Sequence, residues 1–266
     1  MGTVAVNGIS LAYDDSGGGE PLVLVHGHPF DRSMWRPQIA ALTGSKWRVI
    51  APDLRGLGGS SLGPADGPPP WDSYAKDIAG LLDRLGVDAA VIAGLSMGGQ
   101  VALEFRRLSP GRARALVLAD TFAQTDPPQR KQWRYDLADR LEREGMGGYA
   151  QEVLPKMIAP YNIAAMPGVA GHVLTMMRGA PPAGAAAALR SRAERPDYTG
   201  LLPAIDVPVL VVVGRDDEFT PIADAEFMRK HIGDAALVII DGAGHMPNLE
   251  REAEFNDALQ AFLSRL

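Results

Sequence analysis

Five residues constrain this chain more than any others: Gly94-Leu95-Ser96-Met97-Gly98, set directly behind the apolar run Ala89-Ala90-Val91-Ile92-Ala93. The run is short, partly β-branched and uncharged, which suits a strand buried on both faces. A helical pattern begins straight after the glycines, so the chain must turn from strand to helix within a few residues. The glycines two before and two after Ser96 remove the Cβ atoms that so tight a reversal would crush. Ser96 is left at the apex, beside the free N–H groups and positive dipole end of the new helix. In this strand–turn–helix setting G-x-S-x-G is a nucleophile elbow, and the neighbouring amides can receive a developing oxyanion.

The rest of the chain repeats the alternation. Val4-Ala5-Val6 and Ile9-Ser10-Leu11-Ala12-Tyr13 flank Asn7-Gly8, a strong hairpin signal, and Asp15 to Glu20 reads as a glycine-rich turn. Apolar strand-like runs follow at 22–25, 48–51, 90–93, 115–119, 208–213 and 236–240. Tyr74, Ile78, Leu81, Leu82 and Leu85 recur at helical spacing, with Gly86 as a C-terminal cap, and so do Phe255, Leu259, Phe262, Leu263 and Leu266. These elements predict an α/β fold: a mostly parallel, doubly wound eight-stranded sheet flanked by helices and led by an antiparallel hairpin. Residues 121–202 break the rhythm with helical segments, repeated prolines and no convincing strand. They read as a helical cap, or lid, inserted after strand 6, leaving 1–120 and 203–266 as the core.

Composition narrows the function. A net charge of −6 argues against nucleic acid or an anionic membrane surface as partner. The absence of cysteine excludes disulfides, thiolate metal sites and a cysteine nucleophile. No stretch approaches the roughly 18 apolar residues of a membrane span, and the N-terminus lacks the pattern of a signal peptide. The expectation is a cytoplasmic monomer or small homo-oligomer acting on a small molecule, without cofactor or metal.

A serine nucleophile needs a base, and the base needs an orienting acid. His245 stands in Asp241-Gly242-Ala243-Gly244-His245-Met246-Pro247, right after the last strand run and at the same sheet edge as Ser96. His231 falls on a helical segment and His172 in the lid, where both read as ordinary surface residues. The acid should lie between Ser96 and His245 in chain order. Asp217, in the loop behind the 208–213 strand, is the better placed candidate; Asp216 and Asp120 stay open, each able instead to satisfy turn amides.

Three patterns together resemble the serine α/β-hydrolases: His26-Gly27-His28-Pro29 after a strand, Gly94-Leu95-Ser96-Met97-Gly98, and Gly244-His245. The resemblance spans the chain, including the lid position and Asp53-Leu54-Arg55-Gly56-Leu57-Gly58-Gly59-Ser60. It implies a catalytic triad of Ser96, Asp217 and His245, with oxyanion N–H groups from His28 and Met97. Candidate substrate-binding residues are Pro29, Phe30, Phe122 and Met246. The implied activity is hydrolysis of carboxylic esters or lactones through an acyl-enzyme. Cofactor-free haloperoxidase or perhydrolase chemistry and C–C bond hydrolysis share the frame, and a ligand-binding receptor is a more distant alternative. Aspartate-nucleophile dehalogenases and epoxide hydrolases do not fit Ser96. With an imidazole base, activity should fall below about pH 6.5.

Plainer readings compete at several positions. His26 and His28 lack a third ligand at zinc spacing, so His26 should bond backbone near the turn and His28 should lend its amide. Asp53 and Arg55 should brace their loop, whose glycines lack the Lys-Ser/Thr of a phosphate loop. Met146, Met157, Met166, Met176 and Met177 suit core packing, or an adaptable acyl pocket. A carboxylate-bearing substrate would want cations, which Arg178, Arg190, Arg192 and Arg195 could supply. Their default reading is a solvated helical face.

Overall fold

The computed structural model describes residues 1–64 and 67–266. Its sheet begins with β1 (Gly2–Val6) and β2 (Ile9–Gly17), joined by Asn7 and Gly8, both at positive φ, as a tight hairpin turn requires. β2 does not stop at Tyr13. It runs on to Gly17 because its second half pairs antiparallel with β4 (Trp47–Pro52), Asp15 lying opposite Ile50. An Arg48–Asp15 ion pair, with two hydrogen bonds of 2.7 and 3.0 Å, fastens this register. The expected turn at 15–20 is therefore confined to the last glycines.

β3 (Glu20–Val25), β5 (Ala90–Leu95), β6 (Ala113–Ala119), β7 (Val209–Gly214) and β8 (Ala235–Ile240) complete an eight-stranded sheet in the order β1-β2-β4-β3-β5-β6-β7-β8. From β4 to β8 every pairing is parallel. β3, β5 and β7 are apolar almost throughout and sealed by helices on both faces, as parallel strands require. Those helices are α1 (Arg36–Leu42), α2 (Asp72–Arg84), α3 (Met97–Leu108), α9 (Ile222–His231), the short α10 (Pro247–Glu250) and α11 (Glu252–Leu263). α2 buries Tyr74, Ile78, Leu81 and Leu82 and ends at Gly86 (φ 65°), with Val87 N–H reaching back to Leu82 O at 2.9 Å.

Between β6 and β7 lie five α-helices, a short 3-10 turn (Leu202–Ala204) and no strand: α4 (Pro128–Glu144), α5 (Met146–Met157), α6 (Pro160–Ala165), α7 (Pro167–Gly179) and α8 (Pro182–Ala193). Proline at the first or second position of α4, α6, α7 and α8 starts each one where a missing N–H costs nothing. The alanines of α8 let it lie close against α4 and against the 53–60 loop. Gly184 touches Gly56 so closely that any Cβ there would strike the Gly56 carbonyl. Among the described residues no helix is long and apolar enough to cross a membrane.

Candidate active site

Ser96 sits between β5 and α3 with φ 57° and ψ −117°, a strained conformation for a residue with a side chain. The surroundings impose it. Ser96 N–H bonds Ala119 O at 2.8 Å, and Thr121 Oγ1 donates to Ser96 O at 2.8 Å. Gly94 and Gly98 pack backbone to backbone, and a Cβ on Gly98 would collide with Val25 O. Met97 opens α3, so its N–H has no helical acceptor. The His28 turn lies against the elbow: a Cβ on Gly27 would stand 3.2 Å from Ser96 Cβ.

His245 follows β8 and presents its ring edge to Phe219, with centroids 5.1 Å apart. Its Nδ1 is 2.7 Å from Asp217 Oδ2. With Nδ1 engaged, Nε2 is the nitrogen left for the cavity, whose wall includes both Ser96 and His245. The two form no direct hydrogen bond, a spacing common before substrate binds. Asp217 also accepts from Phe219 N–H at 2.8 Å and from the Thr220 hydroxyl. Burial opposes its ionisation, yet His245 and these donors hold the carboxyl below its ordinary value. The other two candidate acids are engaged elsewhere. Asp216 accepts from the exposed Tyr161 hydroxyl, while Asp120 Oδ1 takes the Gly214 N–H at 2.9 Å.

The loop carrying His245 hangs on Glu250, which is fully buried. Its Oε1 accepts from Gly244 N–H at 2.8 Å, and its Oε2 accepts from Ala159 N–H and Asn162 Nδ2, each at 2.8 Å. One carboxylate thus ties the histidine loop to the α5–α6 junction. Nothing local in the sequence marks Glu250 for this task.

The remaining histidines are accounted for by backbone. His26 Nε2 accepts Leu54 N–H at 2.8 Å, so its Nδ1–H donates to Gly27 O at 2.8 Å. Burial lowers its pKa, matching this neutral, doubly bonded ring. His28 Nε2 donates to Ala185 O at 2.9 Å, and burial together with the Arg192 and Arg134 charges lowers its pKa to about 3. His172 meets Ser33, and exposed His231 bonds its own helix. Asp53 holds the backbone N–H groups of Arg32 and Gly59, both at 2.7 Å, and Arg55 forms two hydrogen bonds to Asp77 of α2.

The cavity beside Ser96 is small, with about 40 Å³ open to the centre of a water-sized sphere. Of the four substrate-binding candidates it takes in Phe122 alone. Pro29 and Phe30 are buried in the turn and the core, and Met246 is fully buried at the start of α10. The wall comes instead from α4 (Arg130, Trp133, Arg134), α5 (Tyr149, Met157) and α8 (Leu189, Arg192). Of the methionines between β6 and β7 only Met157 is on the wall, while Met146, Met176 and Met177 are buried in the core. The arginines of the same segment divide. Arg178 is exposed and Arg190 pairs on the outside with Asp139 and Glu142, but Arg192 and Arg195 are buried, contrary to a solvated face. A signal for Arg130 and Arg134 did exist: they stand four residues apart, on one side of a helix.

Fold and site together make the chain a member of the Alpha/beta hydrolase family, which it matches over residues 22–258. It is 30% identical, over 99% of its length and 96% of the relative's, to 3-oxoadipate enol-lactonase 2 of Acinetobacter baylyi. Among solved structures it superimposes on a thermophilic esterase from Thermogutta terrifontis, crystallised with malate bound, with TM-score 0.93 and 41% identity, covering 99% and 96% of the two chains. The enol-lactonase of Burkholderia xenovorans LB400 is similarly close, with TM-score 0.91 and 29% identity over 99% and 100%.

Proposed function

We propose that the chain is a serine hydrolase of small carboxylic esters or lactones, with Ser96 as nucleophile, His245 as base and Asp217 as orienting acid. The observation that carries this reading is the 2.7 Å contact of His245 Nδ1 with Asp217, which commits the second ring nitrogen to the cavity wall that Ser96 shares. In the acylation step His245 Nε2 takes the Ser96 hydroxyl proton as Oγ attacks the carbonyl. The proton is then passed to the departing alkoxide. In the second half His245 removes a proton from water as it attacks the acyl-enzyme, and returns that proton to Ser96 Oγ as the acid is released. Asp217 stays ionised and stabilises the imidazolium. The Met97 and His28 amides receive the oxyanion, each such donor contributing roughly 3 kcal/mol. Residues 121–202 act as the lid that supplies most of the pocket wall. The enol-lactonase and esterase relatives support an ester or lactone carbonyl as the target.

The test is hydrolysis of p-nitrophenyl acetate and butyrate by wild type and Ser96→Ala, with a fluorophosphonate label located by mass spectrometry. Turnover that disappears in Ser96→Ala, together with label on Ser96, is the expected result. Turnover that survives in folded Ser96→Ala overturns the reading.

A further inference from the structure

We propose that the Ser96 cavity contains a carboxylate-binding subsite centred on Arg192, so that its preferred substrates are the anionic half-esters of short dicarboxylic acids. This rests on the reading of Ser96 as nucleophile.

The inference starts from an imbalance of charge. The chain as a whole carries −6, yet Arg130, Arg134 and Arg192 all line this one cavity and Arg195 is buried behind them. The buried counter-charge is Asp126, and it is already committed. Arg134 takes both its oxygens, at 2.7 and 3.2 Å, while Arg130 and Arg195 stand at 3.6 and 3.9 Å. Asp224, half-buried on α9, faces Arg130. Asp217 is held by His245.

Arg192 has no such partner. Among the described residues its hydrogen bond is to a neutral amide, from Nε to Gln100 Oε1 at 2.6 Å, and no carboxylate lies within ion-pair distance. A guanidinium in this position is costly: burial, then the Arg134 and Arg195 charges, push its pKa well down. The face of Phe122 offsets part of that cost, with Arg130, Arg195 and Arg192 at 4.8, 4.8 and 5.9 Å from its centroid. A ring cannot replace a counter-ion. With Nε occupied by Gln100, the terminal nitrogens of the fork are the ones without a protein acceptor among the described residues. Two such nitrogens match the two oxygens of a carboxylate. The apolar wall of Phe122, Trp133, Tyr149, Met157 and Leu189 suits the short carbon chain between that carboxylate and the reacting carbonyl. Hydrolysis of a half-ester adds one water across the acyl–oxygen bond and yields the dicarboxylate and the alcohol.

The experiment compares kcat/KM for p-nitrophenyl hemiglutarate with that for the similarly long, neutral p-nitrophenyl pentanoate. Wild type should favour the anionic ester by at least about tenfold. Arg192→Met should lower the anionic-to-neutral ratio by about 10- to 100-fold, the range of one charge-assisted hydrogen-bond pair. Gln100→Glu keeps Arg192 in place and supplies the missing carboxylate from the protein, so it should lower the ratio in the same direction. Glutarate binding to Ser96→Ala, followed by calorimetry and weakened in 0.5 M NaCl, probes the subsite without turnover. A wild-type ratio of one or less, or no glutarate binding by folded Ser96→Ala, overturns the proposal. Turnover surviving in Ser96→Ala while glutarate still binds would instead remove the nucleophile and leave the anion subsite standing.

Discussion

Asp120 and Asp217 bring carboxylate oxygens within 4.8 Å of each other and of the His245 ring. They divide the roles: Asp217 holds His245, and Asp120 closes the β6–β7 edge through Gly214. Burial first, and then the Asp217 charge, push the Asp120 carboxyl well above the usual carboxylate range. Folded protein therefore keeps a proton that the unfolded chain releases near pH 3.9, and stability drains away as pH rises past that value. An asparagine at this position would escape the penalty, keep the bond to Gly214 and suit the φ of 45°. Asp120→Asn should thus gain in Tm relative to wild type between pH 4 and pH 8. A difference in Tm that stays flat across that interval would refute the protonated acid.

Asp217→Asn should leave the fold intact and lower kcat on p-nitrophenyl butyrate by about 10⁴-fold. The physical reason is that Asp217 accepts from Phe219 N–H, Thr220 and His245 at once. An amide in its place sets a donor against one of them and turns the imidazole to the wrong tautomer. Steady-state kinetics beside circular dichroism decides the matter; a loss under tenfold in folded protein would assign the orienting role elsewhere.

Two glycine substitutions should move stability in opposite directions. Gly98→Ala forces a Cβ into Val25 O, where neither backbone can yield, and should cost more than about 3 kcal/mol or prevent folding. Gly171→Ala lies inside α7 with nothing within 4 Å of the new methyl and should gain about 0.5–1 kcal/mol. Urea midpoints at constant slope measure both. Equal effects would mean that the elbow is looser than its contacts imply.

Glu250→Gln leaves one acceptor where the histidine loop and the α5–α6 junction need two. The mispaired amide should cost about 1–3 kcal/mol and lower kcat as His245 loses its support. An unchanged kcat with lowered Tm would show that Glu250 holds the fold without aligning the base.

The sheet and the elbow were readable because they are written in short-range pattern. Asn7-Gly8 sets its hairpin, the β5 run needs two covered faces, and Gly94 and Gly98 answer to backbone collisions around Ser96. The acid was harder to single out, since Asp120, Asp216 and Asp217 all end up near one sheet edge. Their difference lies in partners far along the chain: Gly214, Tyr161 and His245. The cavity wall was harder still. Arg192 looks like one more charge at the end of an alanine-rich helix until α8 is seen packed against α4 and the 53–60 loop. Pro29, Phe30 and Met246 sit next to the candidate site residues in sequence, but all three are buried away from the cavity.

The contact of Gly184 with Gly56, and the bond from His28 to Ala185, tie α8 to the 53–60 loop and to the His28 turn. Arg192 rides on α8, whereas Tyr149 and Met157 belong to α5. α5 thus brings apolar side chains to the wall and none of its arginines. Residues of α5 can be exchanged to admit longer or bulkier acyl groups while the anion-seeking side stays where it is. On the proposal above, chain-length preference can drift through α5 while the charge preference set by Arg192 on α8 is kept.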